Sequence, residues 1–252
     1  MSDITIDLNA DLGEYPDAFD SDVELMRYIS SANIACGGHA GDEQSVRRTI
    51  EIARKCGVAV GAHPSFPDRA NFGRVAMRIP PAELEKALLE QLQMILSVAQ
   101  ASGVRVTHVK PHGALYHAAN SDPVIAGVIA AAIAATDAKI IVVAQFGSPA
   151  VSAYQRAGLG AATEAFADRA YEPDGRLRAR SLAGALLKPA DAVAQAVNIV
   201  VNGYAVASDG THLNMNPDTL CFHSDTPGAP EIARLVRAAL ERTGVLVACL
   251  LR

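Results

Sequence analysis

The stretch Val106-Thr107-His108-Val109-Lys110-Pro111-His112-Gly113-Ala114-Leu115-Tyr116-His117 begins as a buried strand and ends as a crowd of functional groups. Val106 and Val109 supply β-branched bulk, and Pro111 stops the ladder because proline has no N–H to donate. At that stop lie Lys110, His112, Tyr116 and His117, with Gly113 allowing the backbone a close approach. A strand whose far end carries a cation, imidazoles and a phenol reads as the floor of an active site.

The same pattern recurs on both sides. Alternation marks a first strand over residues 4–11, and apolar runs mark strands over 31–36, 58–62, 139–144, 161–167 and 219–223. A short apolar segment at 245–251 reads as a terminal strand or tail. Between them the spacing predicts helices over 23–29, 43–56, 80 to about 100, 122–135, 148–157, 189–201 and 229–243. Ser21 or Asp22, Asp42 and Asp122 are the expected N-caps. A small hairpin is expected within 203–216. Strand–helix alternation implies a parallel sheet. An open doubly wound sheet remains an alternative. Polar residues follow nearly every strand, however, which favours a TIM-like (β/α) barrel, seven-stranded or distorted, over residues 1–252 as a single domain.

Composition bounds the partners. The 252 residues are 50% hydrophobic and 5% aromatic, with a formal net charge of −5. This argues against nucleic acid or an anionic membrane as partner and for a small-molecule substrate. No apolar run reaches membrane-spanning length and the N-terminus lacks signal-peptide features, so a cytoplasmic protein is expected. Cys36, Cys56 and Cys221 are expected as free, buried thiols. A nucleophilic Cys36 beside His39 is the less favoured reading.

Followed outward, the strands deliver Asp7, Asn9, Asp11 and Glu14, then Asn33 and His39, then His63, then Lys110 and His112. Glu164, Asp168 and Arg169 follow the sixth strand, and His223 and Asp225 the last. Any one of these has a structural explanation. Together they imply a shared site, because unpaired charges are costly to bury. His108 and His117 are expected to be supporting or peripheral, and His212 solvated. The chain has no P-loop, no strand-linked G-x-G-x-x-G and no G-x-S-x-G elbow. Asp11, His39 and His63 could bind a water-activating metal, or act as base and polarising groups without one.

The blocks DLNADLGE (7–14), SANIACGGHAGD (31–42), GAHP (61–64), VKPHGALY (109–116), FADRAYEPDG (166–175) and HSDTPGA (223–229) resemble the LamB/YcsF family of 5-oxoprolinase A subunits. Ala10 and Gly38 depart from residues common there (Cys and Phe), but neither change removes a charged or imidazole group. The resemblance implies a barrel related to polysaccharide deacetylases and a share in opening 5-oxo-L-proline to L-glutamate. It also implies ATP as cosubstrate, with a divalent cation such as Mg²⁺ accompanying it, and subunits B and C as partners; a homo-oligomer is also compatible. Catalytic roles would fall to Asp11, Glu14, His39, His63, Lys110 and His112, with no resident metal. Substrate contacts would fall to Asp7, Asn9, Asn33, Glu164, Asp168, Arg169, His223 and Asp225. Lys110 and Arg169 would offset phosphate charge. Two other readings are a stand-alone metal-dependent amidohydrolase or deacetylase, and a non-catalytic ligand-binding subunit of the complex.

Overall fold

Seven parallel strands close into a barrel. The computed structural model describes residues 4–250 apart from Pro16 and Ala18. The staves are β1 (Thr5–Leu12), β2 (Ser31–Ala35), β3 (Ala59–His63), β4 (Val106–Val109), β5 (Ile141–Gln145), β6 (Gly160–Phe166) and β9 (Thr219–His223). β9 pairs with β6 on one side and β1 on the other, so the sheet has no free edge between them. The short β10 (Leu246–Val247) pairs with the start of β1. Leu251, the end of the expected terminal strand, and residues 1–3 lie outside the described residues.

Helices α1 (Phe19–Leu25), α2 (Glu43–Cys56), α3 (Pro81–Ala101), α4 (Gly113–Ala119), α5 (Pro123–Ala134), α6 (Pro149–Arg156), α7 (Pro189–Val197) and α8 (Ala229–Arg242) fill the connections. Between β6 and β9 the chain makes a long excursion that includes the antiparallel hairpin β7 (Tyr204–Val206) and β8 (His212–Asn214). Asp42 caps α2 as expected, in a reciprocal box with Ser45, and Asp122 caps α5. α3 buries Leu84, Leu88, Leu92, Ile95 and Ala99, as its spacing predicts.

Three expectations need correction. The first helix spans Phe19–Leu25 rather than 23–29, and Asp22 lies inside it, its carboxylate accepting the Gly13 N–H at 2.9 Å instead of capping. Cys56 is exposed at the end of α2. α4 is an element that the periodicity does not predict: it starts two residues beyond Pro111 and carries Tyr116 and His117.

Leu8, Ala10 and Leu12 join the apolar layer between barrel and helices. Their alternates Asp7, Asn9 and Asp11 turn into the barrel, where contacts run between non-adjacent strands. His108 of β4 meets Asn33 of β2, and Asn9 of β1 meets Glu164 of β6. The barrel interior is thus largely polar and fully buried. Such an interior is stable only if its groups satisfy one another. At its lower end they do: Asp7 accepts from Ser30, Ser31 and Thr219.

Candidate active site

At the C-terminal end of the barrel, Lys110 rises from β4 and is 3% exposed. Its Nζ lies 3.0 Å from Asp11 Oδ1 and 2.9 Å from Glu164 Oε1. It also donates to Asn9 Oδ1 at 3.3 Å and meets Cys221 Sγ at 3.0 Å. Burial opposes the ammonium, but Asp11, Cys221 and Glu164 around it hold its pKa well above the usual lysine value. Asp11 is likewise held well below the carboxylate range: burial works against it, and His63 and Lys110 overcome that. Tyr116 donates its hydroxyl to Glu164 Oε2 at 2.9 Å, and Asn33 bridges Asn9 and Asp11. Every charge here has a partner.

Beneath this network His108 lies fully inside the barrel, so it is supporting but not peripheral. Its Nε2–H donates to Asn33 Oδ1 at 2.9 Å, and its Nδ1 accepts from the Thr107 hydroxyl. Burial pushes its pKa down to about 3, which keeps the ring neutral. Gly61 opposite it is required: a Cβ there would sit 2.1 Å from His108 Nε2.

Beside Lys110 is a second centre made of Glu14, His39, His63 and His112. Glu14 Oε1 lies 3.1 Å from His39 Nε2, 3.2 Å from His112 Nδ1 and 3.8 Å from His63 Nε2. His63 Nε2 and His112 Nδ1 are 3.0 Å apart, and Asp11 Oδ2 is 3.4 Å from His63 Nε2. The far nitrogens are fixed by backbone: His63 Nδ1 lies 2.7 Å from the Lys110 carbonyl and His112 Nε2 lies 2.9 Å from the Phe72 carbonyl. Phe72 is the one non-glycine residue with positive φ among those described, at 55°; that strained conformation accompanies a carbonyl set against His112. Burial pushes His39 down to about 4. Burial opposes the Glu14 charge too, but His112 and His39 hold its carboxyl far below the usual range.

The two centres meet a cavity of about 310 Å³ whose walls include Asp11, His63, Lys110, His112, Tyr116 and His117. Glu14 and His39 face a neighbouring cavity of about 450 Å³. His223 also lines the first cavity, stacked on Phe166 with ring centroids 5.4 Å apart. Its Nδ1–H donates to Asp168 at 3.1 Å, and Asp168 further accepts from Thr226 at 2.7 Å. Asp168 thereby fixes the tautomer and leaves His223 Nε2 as the basic nitrogen. Arg74 and Arg180 complete the rim, both bound to Asp225 Oδ2, at 2.8 and 2.7 Å. Two guanidiniums on one carboxylate leave a net positive charge facing the opening.

The LamB/YcsF family model matches residues 6–251. The chain belongs to the LamB/YcsF family. Among its relatives, the 5-oxoprolinase A subunit of Methylococcus capsulatus is 50% identical over 249 residues, covering 98% of this chain and 96% of that one. The 5-oxoprolinase A subunit of Chloroflexus aggregans is 46% identical, covering 97% and 98%. The solved lactam utilization protein of Thermus thermophilus superposes with a TM-score of 0.90 at 41% identity, covering 97% and 99%. The peptidoglycan deacetylase PdaC of Bacillus subtilis shares the fold, at a TM-score of 0.51 and 14% identity over 99% and 89% of the two chains.

Against this LamB/YcsF barrel the sequence expectations sort clearly. Asp11, His63, Lys110, His112, Arg169 and His223 line the cavity, and so does His117, which is therefore not peripheral. Glu14 and His39 complete the imidazole centre. Asn9, Asn33 and Glu164 form the layer beneath, and Asp7 is deeper still. Arg169 is positioned by the Ala185 and Arg178 carbonyls, which hold its guanidinium without neutralising it. Lys110, by contrast, is committed to two carboxylates. Cys36 is buried in the apolar layer, and burial pushes its thiol up to about 12, which opposes a nucleophilic role. Arg74 and Arg180 are site residues that the sequence expectations omit, and Tyr116 stands in the site as the strand-end cluster suggests. His212 is exposed and stacked on Tyr204.

Proposed function

We propose that this chain is the A subunit of an ATP-dependent 5-oxoprolinase, acting with subunits B and C to convert 5-oxo-L-proline to L-glutamate while ATP becomes ADP and phosphate. The observation that carries the reading is the 50% identity, over nearly the whole of both chains, to the 5-oxoprolinase A subunit of Methylococcus capsulatus. The site adds physical support. A cavity of about 310 Å³ is at the small end of ligand pockets and suits a single five-membered lactam. The cationic pair Arg74 and Arg180 suits its carboxylate.

A lactam carbonyl resists water because amide resonance stabilises it. Transfer of the γ-phosphoryl group of ATP, accompanied by Mg²⁺, to the lactam oxygen makes C5 electrophilic. Water adds at C5, the C5–N bond breaks as the ring nitrogen takes a proton, and a second water hydrolyses the resulting acyl phosphate. Asp11 and the Asp168-oriented His223 are the proton-transfer groups we assign to the additions and the departing nitrogen. Lys110 keeps Asp11 ionised and faces the negative charge that develops on oxygen. Arg169, held by neutral carbonyls and lining the cavity, is the cation we assign to phosphate charge.

The reading is tested by glutamate release from 5-oxoproline with ATP, with and without the B and C partners. Release is expected only when ATP and partners are present. Chelator-sensitive amide or acetyl hydrolysis by the isolated chain without ATP would replace this reading with a stand-alone metal-dependent hydrolase, the alternative favoured by the imidazole cluster.

A further inference from the structure

Glu14, His39, His63 and His112 present one donor atom each, all within 4.8 Å of one another. The tautomers make this arrangement unusual. A neutral imidazole carries one N–H, and backbone carbonyls claim it at His63 Nδ1 and at His112 Nε2. In the neutral rings the remaining nitrogens are lone pairs, and they face each other at 3.0 Å with the Glu14 carboxylate 3.2 Å from one of them. Two lone pairs and an anion at those distances repel unless positive charge lies among them, supplied either by a metal ion or by a proton on His63, which burial opposes and Asp11 favours. Lys110 does not supply it, since its ammonium is shared between Asp11 and Glu164.

We propose that Glu14, His39, His63 and His112 form a binding site for one divalent first-row transition ion of the zinc class. The spacing fits: a tetrahedral ion with bonds of about 2.0–2.1 Å holds its ligand atoms about 3.3 Å apart. The pairs Glu14–His39, Glu14–His112, Glu14–His63 and His63–His112 stand at 3.1, 3.2, 3.8 and 3.0 Å. Three imidazoles with one carboxylate select zinc, cobalt, nickel or iron over magnesium and calcium, which prefer oxygen. The outer shell is present at His63 and His112, where a carbonyl-bonded ring N–H fixes the orientation and basicity of the imidazole, while the outer nitrogen of His39 is buried without a hydrogen-bond partner. Gly73 closes the roof; a Cβ there would press on His39 Cβ at 3.0 Å and on His112 Cδ2 at 3.1 Å. The site is new relative to the ATP-associated magnesium of the functional reading, and it stands on side-chain geometry alone.

The test uses the full-length chain without a histidine tag, stripped by chelator and then titrated with Zn²⁺ against a chromophoric chelator. Metal content is counted by mass spectrometry. One ion per chain is expected. Loss of an outer-shell partner alone costs about 10–100-fold in metal affinity, so Glu14→Gln and His112→Gln should each weaken binding about 100-fold or more, while His212→Ala leaves it unchanged. Co²⁺ in the wild type should show the intense visible absorption of a four-coordinate site, a readout that needs no variant to fold. Substoichiometric zinc in the wild type, or equal retention by Glu14→Gln and His112→Gln, would overturn the proposal. Neither partners nor ATP enter the measurement, so its failure leaves the lactam assay standing, and failure of that assay leaves the metal count standing.

Discussion

The two halves of the site are built on opposite principles. Around Lys110 the chain supplies both signs of charge: one ammonium, two carboxylates and an amide, all buried and all paired. Around Glu14 it supplies one carboxylate and three imidazoles, two of which turn a ring nitrogen outward to a backbone carbonyl. The first half is complete without a ligand, and the second is completed by one. It follows that changes in the first half should damage fold and function together, whereas changes in the second should cost less stability than those in the first.

The largest break in that comparison comes from Lys110→Ala, which leaves Asp11 and Glu164 buried without their cation. Urea unfolding should show a loss of about 3–5 kcal/mol, the usual cost of removing one partner of a buried ion pair. A loss below about 1 kcal/mol would mean the network is not closed as described. Gly61→Ala strikes the floor of the same half, where the new methyl meets the His108 ring. Overpacking of this kind costs about 1–3 kcal/mol, read as a lower thermal midpoint.

Protonation sharpens the contrast at a distance. The folded-state pKa of His108 is depressed from 6.5 to about 3 by burial, so the native state binds its proton more weakly than the unfolded chain does. The resulting stability is fully present above about pH 6.5 and is lost as pH falls from there toward about 3. Stability measured across that window should decline more steeply in the wild type than in His108→Gln. In the second half, burial opposes the Glu14 charge but His112 and His39 hold its carboxyl far below the usual range, so Glu14→Gln in metal-free protein should lower stability at neutral pH, by less than Lys110→Ala does. A larger loss would contradict the contrast between the halves.

Much of this was legible in the sequence because strands alternate. Period-two spacing places Asp7, Asn9 and Asp11 on one face and His108 with Lys110 on one face, and Pro111 marks where the fourth strand must stop. The same alternation puts His108 in the interior, so a peripheral place for it undervalues the face it shares with Lys110. What the sequence could not show was pairing across the barrel. That Lys110 would be neutralised by Asp11 and Glu164 depends on closure, which brings together residues 99 and 54 positions from it in the chain. Arg74 and Arg180 carry no sequence signal because they sit on long connections whose paths are set by tertiary contacts with Asp225. The αL carbonyl of Phe72 has none either, since φ > 0 is ordinarily a glycine property.

The central claim is that the lactam is opened in the cavity where the two halves meet, at Asp11, which touches both Lys110 and His63. The most direct test is glutamate release from 5-oxoproline by the complete ATP-supplied complex carrying Asp11→Asn, an isosteric change. Loss of a proton-transfer group predicts a fall of about 10²–10⁴-fold in turnover, with subunit assembly preserved. Turnover at the wild-type rate would contradict the account.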